Sequence, residues 1–227
     1  FFFYFYFITL LFFFFFKNKI NSIHYCYLNI FSLSGIWLLY TINLIYYIPF
    51  DSNLHLTFNN FNLFSSIIEN NIGINLSFLN FFFSYLVLTI GLTTNIYILT
   101  YFKWEANESF FIFWINFFVF SMLILVLSSN FFTLFLGWEL IGFTSFFLIN
   151  FWHTKRSTLK SSFKAFSFNL ISDVFLMASL VIFYSITNTS DIDTFLNLCK
   201  LQNNNTLLKY GVFSLILCAS IKSVQII

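Results

Sequence analysis

The chain has 227 residues, of which 59% are hydrophobic, 25% aromatic and only 8% charged, and its formal net charge is +2. Soluble domains carry about 25% charged residues, so this composition requires lipid around the folded chain and excludes an ordinary water-soluble domain. The small net charge and the single arginine, Arg156, exclude an extended basic surface for nucleic acid.

The hydrophobic residues form seven segments, and a membrane span needs about 20 apolar residues. The segments cover residues 1–16, 23–48, 76–102, 110–128, 131–151, 163–186 and 206–227. The first is short and is followed by Lys17 and Lys19, and the last is still running at Ile227. The sequence therefore predicts an all-α polytopic membrane protein with six spans and the first part of a seventh. Residues 1–49 hold the first two spans, residues 50–76 form a surface loop, and residues 77–227 hold the later spans.

The loop between the second and third segments contains a short alternating pattern. Apolar and polar residues alternate from Leu54 to Phe58, and Asn59-Asn60 could turn the chain into a second run from Phe61 to Phe64. This pattern predicts a small β-hairpin on the membrane surface, with an Asn-rich loop as the alternative.

Lysine and arginine residues indicate the orientation of the spans, because they concentrate in loops on the negative side of a membrane. Most of them follow the odd-numbered segments: Lys17, Lys19, Lys103, Lys155, Arg156, Lys160 and Lys164. Lys200 and Lys209 follow even-numbered segments. We therefore expect the odd-numbered loops to face the negative compartment and the N-terminus to face the opposite one.

Three charged residues lie near the centre of successive hydrophobic segments: Glu139 in the fifth, Asp173 in the sixth and Lys222 in the seventh. An acidic side chain at that depth costs about 2.5–3.5 kcal/mol on insertion scales. An acid and a lysine on facing helices compensate each other and then titrate as one coupled system. These residues are predicted to form a path for proton transfer, with a fixed structural salt bridge as the alternative.

Other candidate sites receive less support from the sequence. Cys26, Cys199 and Cys218 show no CxxC spacing, so we expect apolar packing rather than disulfides or a zinc site. The residues from Trp152 to Arg156 form a basic loop with an aromatic edge, which is typical of an anchor at lipid headgroups. The sequence contains no motif for nucleotide or catalytic zinc, and no metal site is predicted.

Three motifs occur in the same order and spacing in one known family. They are the stretch from Asn130 to Trp152 with Trp138-Glu139, the pattern Lys164-Ala165-Phe166 followed by Asn169 and Ile171-Ser172-Asp173, and the run from Ala219 to Gln225 with Lys222. Together they closely resemble subunit 5 of respiratory complex I, the NADH:ubiquinone oxidoreductase, over about residues 74–227.

The resemblance implies an antiporter-like, proton-translocating subunit of the mitochondrial inner membrane. Glu139 and Lys222 would be the proton-channel pair, with Asp173 nearby. No cofactor would be bound by this chain, because NADH, flavin mononucleotide, iron–sulfur clusters and ubiquinone belong elsewhere in such a complex. The implied partners are other membrane-arm subunits, lipid such as cardiolipin, and a second chain or a further segment that completes subunit 5.

The chain departs from the family pattern at a few positions. Leu170 stands where the family usually has arginine, and Ser172 stands where it usually has glycine. Ser77 replaces an expected acidic residue. The family motif also continues beyond the position of Ile227, which indicates either a subunit encoded in two pieces or a fragment.

Two other functions remain compatible with the residues. One is a subunit of a related multi-subunit cation/proton antiporter, which shares the same motifs. The other is a structural membrane-arm segment whose charges form static pairs. A cytochrome b-type electron carrier fits poorly, because His24 and His55 lie near segment ends rather than paired at mid-depth.

Overall fold

The computed structural model describes residues 22–47, 54–58, 72–102, 107–201 and 206–223, and this part of the chain is nearly all helical. The helices are α1 (Ser22–Tyr47), α2 (Phe78–Tyr101), α3 (Glu108–Val126), α4 (Phe131–Ile149), α5 (Arg156–Thr187), α6 (Ile192–Leu201) and α7 (Thr206–Lys222). The strands are β1 (Leu54–Phe58) and β2 (Ile72–Leu76), which pair with each other.

The helices occupy the predicted hydrophobic segments, because a backbone in lipid has to satisfy its hydrogen bonds within the segment. Six helices match segments two to seven with small differences at their ends. The largest difference is in α5, which begins at Arg156 rather than at residue 163 and so includes Lys160 and Lys164. The predicted first segment, residues 1–16, lies outside the described residues.

Four of the described helices, α2 to α5, are long and apolar enough to cross a membrane. Large apolar side chains are exposed on their outer faces, including Phe82, Phe132, Phe163 and Val174. Exposed apolar surface on this scale suits contact with lipid rather than with water. The fold confirms the predicted class of all-α membrane protein, whereas the spans beyond these four stay predictions.

Many hydroxyl side chains within the helices donate to a carbonyl of the helix that carries them. Ser84 donates to the carbonyl of Phe81 at 2.8 Å, and Ser179 donates to that of Leu176 at 2.6 Å. This local bonding gives the hydroxyl hydrogen an acceptor within its own helix. Serine and threonine can therefore lie at membrane depth at little cost.

The chain divides into two compact units, of which the first comprises residues 1–54 and 76–127. In this unit α1, α2 and α3 pack around a core of Leu33, Ile36, Tyr40, Leu88, Val119, Phe120 and Leu123. Gly91 on α2 faces Val119 so closely that a Cβ there would lie 2.8 Å from its Cγ2. One turn further along α2, Asn95 donates a buried hydrogen bond of 3.0 Å to Asn116 on α3.

The second unit comprises residues 55–75 and 128–227 and contains α4 to α7. Helix α5 packs against α4, α6 and α7. Its end is marked by Asn188, which adopts a left-handed conformation with φ of 53°, and asparagine is one of the few side chains that tolerate this region. The chain then turns back, and the N–H of Phe131 donates to the carbonyl of Ser190 at 2.9 Å.

Helix α6 is an element that the hydrophobic segments did not predict, because it is short and interrupted by polar residues. Its Phe195 packs against Phe131 at the start of α4 and Phe183 near the end of α5, with ring centroids 5.5 and 4.2 Å apart. All three rings are buried and form the described core of this unit. The aromatic cluster therefore fixes the ends of α4 and α5 against each other.

The predicted first strand of the surface loop is present over the same residues, Leu54–Phe58. Its partner in the described part of the chain is β2, which lies further along the sequence than the predicted second strand. Residues 61–64, where that second strand was predicted, lie outside the described residues. Strand β2 also joins the second unit, since Ile74 forms an antiparallel bridge with Ser128.

Candidate functional site

Glu139 lies in the middle of α4, which begins after Asn130 and ends at Ile149. Its side chain is partly exposed. Helix α4 packs against α5, so the position of Glu139 is fixed relative to the charged residues of the second unit. The glutamate interacts electrostatically with both Asp173 and Lys222.

Asp173 lies on α5 and is buried, with 8% of its surface exposed. The residue before it, Ser172, donates a hydrogen bond of 3.2 Å to the carbonyl of Cys218 on α7 and lies 3.3 Å from its sulfur. The hydroxyl of Ser172 thus joins α5 to α7 at this depth. This link holds Asp173 beside the helix that carries Lys222.

Lys222 is the last residue of α7 and reaches back to α4. Its Nζ donates a hydrogen bond of 3.0 Å to the main-chain carbonyl of Trp138, the residue before Glu139. The same Nζ lies 4.0 Å from the centroid of the Trp138 ring. The ammonium group is therefore bonded to α4 through Trp138.

The structure thus brings the three predicted site residues together within the second unit. Lys222 interacts electrostatically with Asp173 and Glu139, from α5 and α4 respectively. A lysine that interacts electrostatically with two carboxyl groups can gain or lose a proton in response to the charge of either one. The arrangement is suited to storing a proton at the end of α7.

The sequence analysis quoted Trp138 only as part of a motif and gave it no role. In the structure its indole N–H is buried and lacks a hydrogen-bond partner among the described residues, as does Oδ1 of Asp173. The two side chains interact, although their geometry falls short of a hydrogen bond. The position of Trp138 next to Glu139 was the signal that could have drawn attention to it.

The polar residues near the predicted site make different contacts. Asn169 on α5 packs against Gly142 on α4, where an added Cβ would lie 3.4 Å from Nδ2 of Asn169. Ser220 and Ser223 donate to carbonyl groups of their own helix, at 2.8 Å each. Gln225 lies outside the described residues. Of these residues, Asn169 packs across the interface between α4 and α5.

A second buried carboxyl group lies in the first unit, apart from the three predicted residues. Glu108, at the start of α3, is 4% exposed and accepts a hydrogen bond of 3.1 Å from the thiol of Cys26 on α1. Cys26 therefore makes a polar contact in addition to the apolar packing that the sequence predicted. All three cysteines are free thiols.

The loop from Trp152 to Arg156 is exposed, in keeping with the prediction of a surface anchor. Lys155 lies over the ring of Trp152 at 5.4 Å, and the hydroxyl of Thr158 bonds the carbonyls of both residues at 2.7 Å. Elsewhere in the described ranges, no group of three or more His, Cys, Asp or Glu side chains is placed to hold a metal ion.

Comparison with known proteins identifies the part of the chain that holds these residues. Residues 128–227 match the family described as NADH:quinone oxidoreductase/Mrp antiporter, TM. The chain is 46% identical to NADH-ubiquinone oxidoreductase chain 5 of Paramecium tetraurelia over 121 residues, which are 53% of this chain and 21% of that relative. It is 34% identical to the chain 5 of Wickerhamomyces canadensis over 158 residues, which are 68% of this chain and 24% of the relative.

Two solved structures share the fold. The structure of the membrane-bound sulfane sulfur reductase, an archaeal respiratory membrane complex, matches with a TM-score of 0.80 at 11% identity, over 96% of this chain and 43% of the other. The Mrp complex from Dietzia sp. DQ12-45-1b matches with a TM-score of 0.70 at 16% identity, over 88% of this chain and 20% of the other. At these identities the likeness concerns the fold alone.

The apolar helices and the match over residues 128–227 describe a membrane protein that is similar, over that part of its length, to the NADH:quinone oxidoreductase/Mrp antiporter class. Within that class the chain is a partial-length homologue of NADH-ubiquinone oxidoreductase chain 5, and it spans about a fifth to a quarter of the curated relatives that it matches. This finding confirms the resemblance drawn from the three motifs. Because the matched relatives are named as chain 5, the antiporter alternative is not favoured.

Proposed function

We propose that this chain is part of a proton-translocating subunit in the membrane arm of NADH:ubiquinone oxidoreductase, where quinone reduction drives proton transfer across the membrane. The observation that carries the proposal is the hydrogen bond of 3.0 Å from Lys222 to the carbonyl of Trp138. Lys222 also interacts electrostatically with Glu139 and with the buried Asp173, and the three residues belong to three helices of one unit. The homology to chain 5 supports the same function.

Each of the three residues has a distinct role in this proposal. Lys222 holds the proton, because its interactions with Asp173 and Glu139 and its hydrogen bond to Trp138 partly offset the cost of burying the ammonium. Glu139 modulates the charge of Lys222, since neutralising Glu139 removes part of that stabilisation and favours release of the proton. Asp173 supports the pair or lies on the route of the proton, because it is the more buried of the two acids.

The redox chemistry belongs to other parts of the complex in this proposal. The chain acts as a subunit of a proton-translocating NADH:ubiquinone reductase and binds no redox centre of its own. NADH, flavin mononucleotide, iron–sulfur clusters and ubiquinone are bound elsewhere. What this chain supplies is the path for the proton, built from its own side chains.

The proposed surroundings follow from the partial length and the composition. Other membrane-arm subunits and a segment that completes chain 5 are the expected protein partners. Lipid, including cardiolipin, is expected around the exposed apolar faces and beside the basic loop at Lys155 and Arg156. We place the protein in the mitochondrial inner membrane, in agreement with 40 phenylalanines against 6 glycines, a bias typical of A/T-rich organellar genomes.

The test is a Glu139→Gln variant in the assembled complex. We expect the number of protons pumped per electron pair to fall, while the amount of assembled complex changes less, because glutamine keeps the shape of the side chain and removes its charge. Glu108→Gln is the matched control, since Glu108 is a buried carboxyl group bonded to Cys26 in the other unit. Its proton-to-electron ratio is expected to stay at the wild-type value.

Both variants are assayed in membrane vesicles. NADH oxidation and proton uptake are recorded on the same sample, and their ratio gives the number of protons pumped per electron pair. A normal proton-to-electron ratio in Glu139→Gln would reject the proposed function. A Lys222→Leu variant that pumps normally would favour a structural role for the three charges instead.

A further inference from the structure

Trp138 makes two contacts with the ammonium of Lys222, one from its main chain and one from its side chain. The carbonyl accepts a hydrogen bond of 3.0 Å, and the ring centroid lies 4.0 Å from Nζ. The two residues are 84 positions apart in the sequence. A single residue of α4 therefore defines where the end of the lysine side chain lies.

These two contacts distinguish the protonated lysine from the neutral one. The face of an indole ring attracts a cation through its quadrupole, and tryptophan is the best of the aromatic residues for this interaction. A neutral amine lacks the charge on which the attraction depends. The hydrogen bond to the carbonyl is likewise stronger from an ammonium than from an amine.

Besides Trp138, Lys222 interacts with two acidic side chains and one thiol. The titratable groups that interact with Lys222 in the described residues are Glu139 on α4, Asp173 on α5 and Cys218 on its own helix. The buried indole N–H of Trp138 also lies near Asp173, although the two do not form a hydrogen bond. The side chain of Trp138 is therefore close to the aspartate as well as to the lysine.

We propose that Trp138 is a positioning residue that holds Lys222 in its protonated form beside Glu139 and Asp173. This inference rests on the proposed function, to which it adds a residue that acts through the lysine. While Lys222 carries its proton, the ring and the carbonyl hold the side chain against α4. When the proton leaves, both contacts weaken and the side chain is released.

The test measures Lys222 directly in the assembled complex, as the rate of its reductive methylation at several pH values, followed by mass spectrometry of the peptide. Only the neutral amine reacts, so loss of the ring in Trp138→Leu should raise the rate at a fixed pH by about tenfold. The reactive range then moves to lower pH. Trp138→Phe keeps a weaker ring and should give a shift of about threefold.

Trp114→Leu is the matched control, because Trp114 packs against Phe110 and Phe117 in the first unit. Its Lys222 methylation profile should equal that of the wild type. A wild-type profile in Trp138→Leu would overturn the proposal. If Trp138→Leu does not assemble, the test uses Trp138→Phe instead, and a wild-type methylation profile in that variant would likewise overturn the proposal.

Methylation and pumping give separate answers. A shifted Lys222 profile in Trp138→Leu, together with normal pumping in Glu139→Gln, would keep the role of Trp138 and reject the proposed proton path. An unshifted profile together with impaired pumping in Glu139→Gln would reject the role of Trp138 alone.

Discussion

The contact of α7 with α5 at Gly211 determines how closely the helix that carries Lys222 can approach its neighbour. A Cβ at residue 211 would lie 2.6 Å from Cε1 of Phe183 and 3.1 Å from Cγ2 of Ile182. Phe183 is 2% exposed and packs against Phe131 and Phe195. Because this buried ring is packed against two other rings, we expect an alanine at position 211 to push α7 away from α5.

The size of this effect follows from the distances. Carbon atoms make favourable contact at about 3.5–4.0 Å, so relieving the contact at 2.6 Å requires a displacement of about 1 Å. Overpacking of this kind costs about 1–3 kcal/mol. The same displacement weakens the 3.0 Å hydrogen bond from Lys222 to Trp138, since the lysine moves with α7.

We therefore expect Gly211→Ala to lower both the thermal stability of the assembled complex and its proton-to-electron ratio. Thermal inactivation and vesicle pumping measure the two effects. Gly35→Ala is the control, because no atom lies within 4 Å of a Cβ at that position, and alanine favours a helix over glycine by about 0.5–1 kcal/mol.

The outcome that would refute this reasoning is a Gly211→Ala complex as stable and as well coupled as Gly35→Ala. A second variant tests the cause: Phe183→Leu should restore part of the loss in Gly211→Ala, because the smaller side chain removes the ring that the new methyl group meets. Failure of this rescue would show that the contact with Phe183 does not set the distance between α5 and α7.

Two further predictions concern other parts of the chain. Asn95→Leu removes the buried hydrogen bond to Asn116 and should destabilise the first unit by about 0.6–1.7 kcal/mol, the range of hydrogen bonds between membrane helices. The control is Asn43→Leu, which removes only a hydrogen bond to Leu39 of the same helix. In the same thermal inactivation assay, the control should lose less stability. Burial raises the pKa of the Cys199 thiol, so at pH 8 it should be alkylated by iodoacetamide more slowly than a cysteine in a short peptide, and the difference should shrink as the pH rises and the thiolate forms. Equal rates for Cys199 and the peptide at pH 8 would contradict this expectation.

The helices and the charged residues could be predicted because each has a large free-energy consequence in lipid. An apolar run in a membrane has to form a helix, and so the ends of α4, at Phe131 and Ile149, agree closely with the predicted segment of residues 131–151. Glu139, Asp173 and Lys222 stand out for the same reason, since a charge at membrane depth is costly and rare.

The remaining features depend on packing between distant parts of the chain. The bond from Lys222 to Trp138 joins residues 84 positions apart, and that from Cys26 to Glu108 joins residues 82 apart. Neither pair has a distinctive local pattern. Helix α6 was missed because its polar residues do not resemble a span, and its position depends on the rings of Phe131 and Phe183.

Strand β2 has a consequence for the order in which the protein folds during synthesis. Ile74 bridges Ser128, and Asn75 donates to Asp193, which lies 118 residues further along. A nascent chain emerges from the ribosome in sequence order, so β2 is translated well before Asp193 exists. The hydrogen bond from Asn75 to Asp193 can therefore form only late, after helices α2 to α5 have been synthesised.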